Sequence, residues 1–340
     1  MRVAPDKAAS VSIKLPRLSR QRALAVLGVA SLLILVQLFF CWRWSREPPL
    51  YLETTALNEA PPVTGYVTAT TLIEVIDWLL EKPGGYLSND IYPPSMWLDN
   101  MPNFEFGVLV QARDLGRAFR NDYSRSQSQS TEHPELAIAD PALHYTNDQW
   151  IYPSTQTKLR EAQDALSSYR SQLLSIDAGD AQFFARADNL REWLGIVERR
   201  LGSLSQRLSA SVGQTRINTD LAGEPAAEAS TPRDSALLVK TRWTELDDVF
   251  FEARGTAWAL LQFMGAAQID FDGVLSDKNA VVSLQQVMRE LEGALDRLRS
   301  PIILNGGGYG FFANHSLVLA SYLSRAHSAV IDLRSLLAQG

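Results

Sequence analysis

Cysteine is almost missing from this chain. The single thiol, Cys41, leaves residues 42–340 without a disulfide, a cysteine-based metal site or a cysteine nucleophile. Histidine is scarce as well. His133, His144, His315 and His327 include no H-E-x-x-H pair, and His315 and His327 stand too far apart to meet at one ion from one helical face. No G-x-S-x-G string occurs, which removes the nucleophile elbow of the α/β-hydrolases. The run NGGGYG at 305–310 follows no strand and precedes no Lys-Ser or Lys-Thr, so it is not a phosphate loop. Asp270-Phe271-Asp272-Gly273 opens like a calcium loop, but Asn279 holds the place of the closing glutamate, and a helix-connecting turn with aspartate caps is expected. Strand patterning is nearly absent. Only 301–304 is a candidate, and it is too short to found a sheet. No metal and no cofactor is implied.

Charge is missing from residues 23–42, ALAVLGVASLLILVQLFFCW, where only Ser31 and Gln37 interrupt the apolar run. A helix of that length covers ~30 Å, the thickness of a bilayer's hydrocarbon core. Before it stand Arg2, Lys7, Lys14, Arg17, Arg20 and Arg22 against Asp6 alone; after it come Arg43 and Arg46. Positive charge beside a span stays in the cytoplasm, so the expected orientation is a cytoplasmic tail at 1–22 and the bulk of the chain outside. Trp42 and Trp44 suit the headgroup level. The run is longer than a signal-peptide core and no A-x-A site follows, so an uncleaved single-pass anchor in the lipid bilayer is expected. Residues 47–340 hold 24 basic and 37 acidic side chains. A domain so acidic is a poor partner for nucleic acid, whose affinity rests on phosphate neutralisation.

What is present is helical spacing. Pro48, Pro49, Pro61 and Pro62 mark residues 47–66 as an extended stalk, with a helical domain over 67–340. Apolar residues recur at steps of 3 and 4 through seven stretches, among them 159–176, 187–208, 239–267, 281–298 and 319–337. The fold class is therefore all-α: one membrane helix, then a bundle of about seven helices with coiled-coil-like antiparallel hairpins. Asp177-Ala178-Gly179-Asp180 supplies a C-cap glycine and a new N-cap, so 154–212 is expected to be one hairpin, with a second helix of roughly 30 residues and Leu194, Leu201 and Leu208 facing the first. Residues 213–233 lack any apolar period and read as a flexible linker. The outer faces of that hairpin carry Arg191, Arg199, Arg200 and Arg207, a basic row on an acidic domain and a candidate surface for a protein partner or for self-association.

Two loops share a pattern of helix, proline, Gly-Gly-Tyr and helix. The first contains Gly84, Gly85 and Tyr86, with Trp97 further along; the second contains Gly307, Gly308 and Tyr309. Glycine there is expected to supply positive φ, Gly307 included. Glu105 sits among aromatics at a helix start, where two readings stand: a cap at the positive helix end, or a buried acid with a raised pKa. Strict alternation of seven helices would put the two loops at opposite ends of the bundle.

The strings GGYLSND (84–90), LDNMPNFEFGVLVQARD (98–114), SRSQSQS (124–130), ARADNLREWL (185–194) and RLGSLSQRLSASVG (200–213) resemble an uncharacterised family of proteobacterial single-pass inner-membrane proteins. The resemblance implies a bacterial envelope protein with its bulk in the periplasm, and implies no activity and no catalytic residues. Two functions are carried forward. The first is a membrane-anchored periplasmic scaffold that binds proteins or envelope components. The second is a cell-wall hydrolase or lyase using Glu105, which requires a cleft lined by Tyr86, Trp97, Glu105 and Tyr309.

Overall fold

The computed structural model describes residues 19–52, 63–126, 130–175, 181–217, 236–300 and 302–339. Most of the basic tail, residues 53–62 of the stalk and residues 218–235 of the linker lie outside the described residues. Ser19 starts α1 (Arg20–Trp44) by accepting from the Arg22 N–H at 3.5 Å. This is the one helix among the described residues long and apolar enough to cross a membrane, and its apolar window is not buried against the rest of the chain.

The bundle is all-α. Its helices are α2 (Tyr66–Glu81), α3 (Asn100–Ala118), α4 (Pro134–Leu143), α5 (Thr155–Leu174), α6 (Ala187–Ser209), α7 (Leu246–Asp270), the short α8 (Asp272–Asp277), α9 (Val281–Ala294) and α10 (His315–Ala338). Two of these exceed the expected seven. The α4 helix forms inside what reads as a connector, begun by Pro134 at its first position; α8 is a short piece inside the expected Asp-capped turn. There Asp270 closes the start of α2, accepting from the Gly65 N–H at 2.8 Å and from the Thr68 N–H and hydroxyl at 2.7 and 2.6 Å. Strand appears where none is expected: β1 (Gln214–Ile217) pairs antiparallel with β2 (Ala236–Val239), so the start of the expected linker is ordered.

Helix α7 is the axis of the bundle. Every residue from Ala253 to Met264 is buried, the mark of a helix surrounded on all sides. It runs parallel to α3 at very close approach. A Cβ on Gly107 would strike the Glu252 carbonyl, and one on Gly255 would strike the Phe104 carbonyl. Glycine is what lets these two backbones touch. Trp78 of α2, Phe104 of α3 and Trp258 of α7 stack at the centre, with ring centroids 4.8–6.2 Å apart.

The expected 154–212 hairpin is not formed. Helix α5 packs on α2 and α4, whereas α6 packs antiparallel on α10. Leu194, Leu201 and Leu208 are buried, but on that other partner, and α6 has 23 residues rather than about 30. A 3-and-4 repeat shows that a helix has an apolar face without saying which helix covers it. The connection also differs from a four-residue turn. It spans 175–186, and Phe183 wedges among Phe119, Tyr123 and Phe271, against the Cα of Gly65. That wedge separates α5 from α6.

Side-chain pairs fix the direction of each helix. Arg160 meets Glu81 and Arg170 meets Thr70, so α5 runs against α2. Arg120 meets Asp140 while Arg113 meets the Leu143 carbonyl, so α4 runs against α3. Gly195 meets Arg334 and Ser205 meets the Ala320 carbonyl, so α6 runs against α10; Arg325 meets Glu290, so α9 does too. The result is a bundle with four connections at the end where α1 leaves: 82–99, 144–154, 210–245 and 295–314. Both Gly-Gly-Tyr loops are at this end.

Candidate functional site

The junction between α1 and the bundle is built, not hinged. Three positions of α7, Arg254, Trp258 and Gln262, are spaced four apart and so lie on one face. Each holds the chain that follows α1. Arg254 is buried and grips Glu47 with both ends of its guanidinium, at 2.8 and 2.6 Å, while also donating to the carbonyls of Ala294, Leu295 and Asp296 at the end of α9. A fork-on-fork pair of this kind fixes orientation as well as proximity. The Trp258 indole donates to the Pro49 carbonyl at 2.9 Å. Gln262 donates to the Leu50 carbonyl at 2.9 Å and accepts from the Leu52 N–H at 3.0 Å. The Tyr51 hydroxyl donates to Glu292, and burial together with that carboxylate pushes the phenol up to about 12. Trp44, at the end of α1, covers Gly84, whose Cα leaves no room for a Cβ, which would lie 2.8 Å from the indole. The expected stalk is therefore corrected over residues 47–52: two of its prolines lie on a docked segment, because α7 offers it a ladder of donors and acceptors. A lone arginine and a lone glutamine, four residues either side of a tryptophan in an apolar run, are the sequence signal that points to this ladder.

Glu105 is wholly buried. It forms an ion pair with Lys82 at 2.5 Å and accepts from the Leu87 N–H, the Ser88 N–H and the Ser88 hydroxyl at 2.6–3.1 Å. Burial pushes its carboxyl up, and Lys82, Ser88 and Leu87 oppose that push. It caps no N–H of its own helix. It organises the first Gly-Gly-Tyr loop, with Lys82 also donating to the Gly85 carbonyl. Gly84 and Gly85 both have positive φ, +92° and +69°, which lets the chain turn back over Lys82. Tyr86 is buried and donates to the Asn147 carbonyl at 3.0 Å. Asn89 ties the same loop to the Gln149 carbonyl and to Gln156.

The second loop is built differently. Gly308 has φ +73°, but Gly307 does not have positive φ and has open space around it, which corrects the expectation placed on Gly307. A bridge between Asn305 and Asn314 closes the loop, and the Asn314 side chain caps α10 by accepting from the Leu317 N–H at 2.8 Å. Tyr309 touches nothing and is fully exposed. Trp97 is exposed on the first loop. The cleft required for a Glu105 enzyme is not formed: Glu105 and Tyr86 are sealed in, and no surface of Glu105 reaches solvent.

The basic row is spoken for in part. Arg200 makes a two-pronged pair with buried Asp114 at 2.8 and 3.1 Å, and Arg207 a similar pair with Glu252 at 2.7 Å. Arg191 lies within 3.8 Å of Glu192, and its carbonyl accepts from Arg334. Reversing Arg200 would thus damage the fold, because it strands Asp114. Arg199 is the member of the row that stays exposed and without an ion-pair partner, in an open groove with Phe106, Val110 and Arg117 between α3 and α6. No group of three metal-ligating side chains gathers among the described residues.

These features define a helical bundle fastened to a single membrane-length helix. A family model described as "Uncharacterized protein conserved in bacteria (DUF2333)" matches residues 18–340, and the chain belongs to that family. No curated protein and no solved structure matches the chain.

Proposed function

We propose that this protein is a single-pass scaffold of the bacterial inner membrane, with its N-terminus in the cytoplasm and its bundle in the periplasm, which acts by binding other proteins or envelope components. The observation that carries this reading is the fastening of residues 44–52 to α7. A bundle on a free stalk samples all orientations; a bundle gripped at Glu47 by Arg254 presents a fixed face to whatever lies beside α1. Such fixed presentation suits a positioning role. The charge asymmetry across residues 23–42 supports the orientation. The groove around Arg199 is the surface offered to an acidic partner, since it is the exposed basic spot on an acidic domain.

The test is crosslinking in intact envelopes with recovery of the full chain, comparing the native protein with Arg199→Glu. A neighbour captured by the native chain and lost by the variant, with circular dichroism unchanged, is the expected outcome. The same neighbours at the same yield from both chains would remove the Arg199 groove from the account. A reporter active only in the cytoplasm, fused after Gly340, is expected to stay silent; a bright reporter would overturn the orientation.

A further inference from the structure

The exposed aromatic side chains of the bundle are not scattered. Beyond α1, and apart from Tyr51, every exposed Trp, Tyr and Phe among the described residues lies on the four connections at the end where α1 leaves. Tyr92 and Trp97 are on the first connection, and Trp150 and Tyr152 on the second. Trp243 follows β2, and the second Gly-Gly-Tyr loop carries Tyr309, Phe311 and Phe312 at its tip. Tyr309 and Phe311 make no side-chain contact that shields them at all. The opposite end and the flanks expose none. Leaving this many rings in water is costly, and a cluster of them marks a surface that something covers.

The position says what covers it. Trp44 packs at Gly84, and α1 touches the turn at Ser95–Trp97, so the apolar helix departs from the midst of these rings. The connections are also tied to one another: Tyr86 and Asn89 bond the first to the second. An indole or phenol has an apolar body and a polar tip, which is the chemistry of the headgroup layer of a bilayer. The same face carries exposed Asp90, Asp99 and Asp148, so attraction to anionic lipid is not what would hold it there.

We propose that this end of the bundle rests on the bilayer from which α1 emerges, with the tips of the four connections seated among the lipid headgroups through their aromatic side chains. The proposal rests on the reading that α1 spans that bilayer. It makes the second Gly-Gly-Tyr loop a lipid-contacting finger and the first one a brace between finger-bearing connections and α1. Contact of this kind depends on partition of the rings and is expected to persist at high salt.

The experiment uses the full chain with Cys41→Ser and one new cysteine at a time: Tyr152→Cys, Tyr309→Cys, Asp277→Cys at the opposite end, and Ser31→Cys within α1. All four positions are exposed in the bundle or on α1, so the fold is left intact. Each cysteine carries a fluorophore, and the protein is placed at one copy per nanodisc of phosphatidylcholine containing a nitroxide-bearing lipid. A headgroup nitroxide is expected to quench the labels at 152 and 309 and to leave 277 bright, in low and high salt alike. An acyl-chain nitroxide is expected to quench position 31. If 31 is quenched while 152 and 309 stay as bright as 277, the seating is wrong and the anchor reading survives. If 31 is not quenched, the anchor reading fails and takes the proposal with it. Equal quenching at 152, 309 and 277 would contradict a one-ended contact, and loss of quenching at 152 and 309 in high salt would contradict a contact made by rings.

Discussion

The two Gly-Gly-Tyr loops are alike in sequence and opposite in construction. In the first, Tyr86 is buried, both glycines hold positive φ, and a buried ion pair between Lys82 and Glu105 lies beneath the turn. In the second, Tyr309 is fully exposed, only Gly308 holds positive φ, and the loop is closed by backbone between Asn305 and Asn314. The difference lies outside the shared motif. Lys82 and Glu105 stand where the second loop has no counterpart, and Trp44 arrives from α1 to cover Gly84. A motif of glycine and tyrosine thus specifies a turn; whether the turn is sealed or open depends on what the rest of the chain brings to it.

The sharpest way to break this comparison is to remove the charge beneath the first loop. Glu105→Ala leaves Lys82 buried and unpaired, which is expected to cost ~3–5 kcal/mol in urea unfolding. Replacing both partners, Lys82→Met with Glu105→Leu, is expected to recover most of that loss, because a well-packed apolar pair needs no compensation. If Glu105→Ala melts like the native chain, the ion pair is not what organises the loop.

Glycine substitution gives the next largest contrast. Gly84→Ala forces a Cβ into positive φ and against Trp44, with an expected loss of ~1–2 kcal/mol and a blue- or red-shifted tryptophan emission as Trp44 is displaced. Gly307→Ala is expected to leave the melting curve unchanged, since it sits in open space without positive φ. Equal sensitivity at the two sites would erase the distinction. The tyrosines sharpen it further at lower amplitude. Tyr86→Phe loses the bond to the Asn147 carbonyl and is expected to cost about 1 kcal/mol, whereas Tyr309→Phe is expected to leave thermal unfolding unchanged.

Much of the bundle is legible in the sequence, and its arrangement is not. The spacing of Leu190, Leu194, Val197, Leu201, Leu204 and Leu208 correctly marks α6 as a one-faced helix, and these residues are all buried. The covering partner is invisible in that spacing, because α10 offers a compatible face and Phe183 holds α5 away. The error of greatest consequence is α4. Its ten residues include Pro134 and Pro141 and show no clear apolar stripe, so they read as connector. Counting that helix changes the parity of the bundle and moves the two Gly-Gly-Tyr loops from opposite ends to the same end. The candidate site is legible only in part. Glu105 stands out as an acid among aromatics, but its partner Lys82 does not, since the two are brought together by the turn. The hold on Glu47 depends on Arg254, which is visible as a lone charge in an apolar run only once α7 is known to be central.

The central claim is that α1 and the bundle form one body through the docked segment 44–52. It is tested most directly by the distance between a spin label on the native Cys41 and one on Asp277→Cys at the opposite end, in nanodiscs. A single narrow distribution is expected, and Arg254→Met, which releases Glu47, is expected to broaden it. A distribution that is already broad in the otherwise native chain, and that Arg254→Met leaves unchanged, would contradict the account.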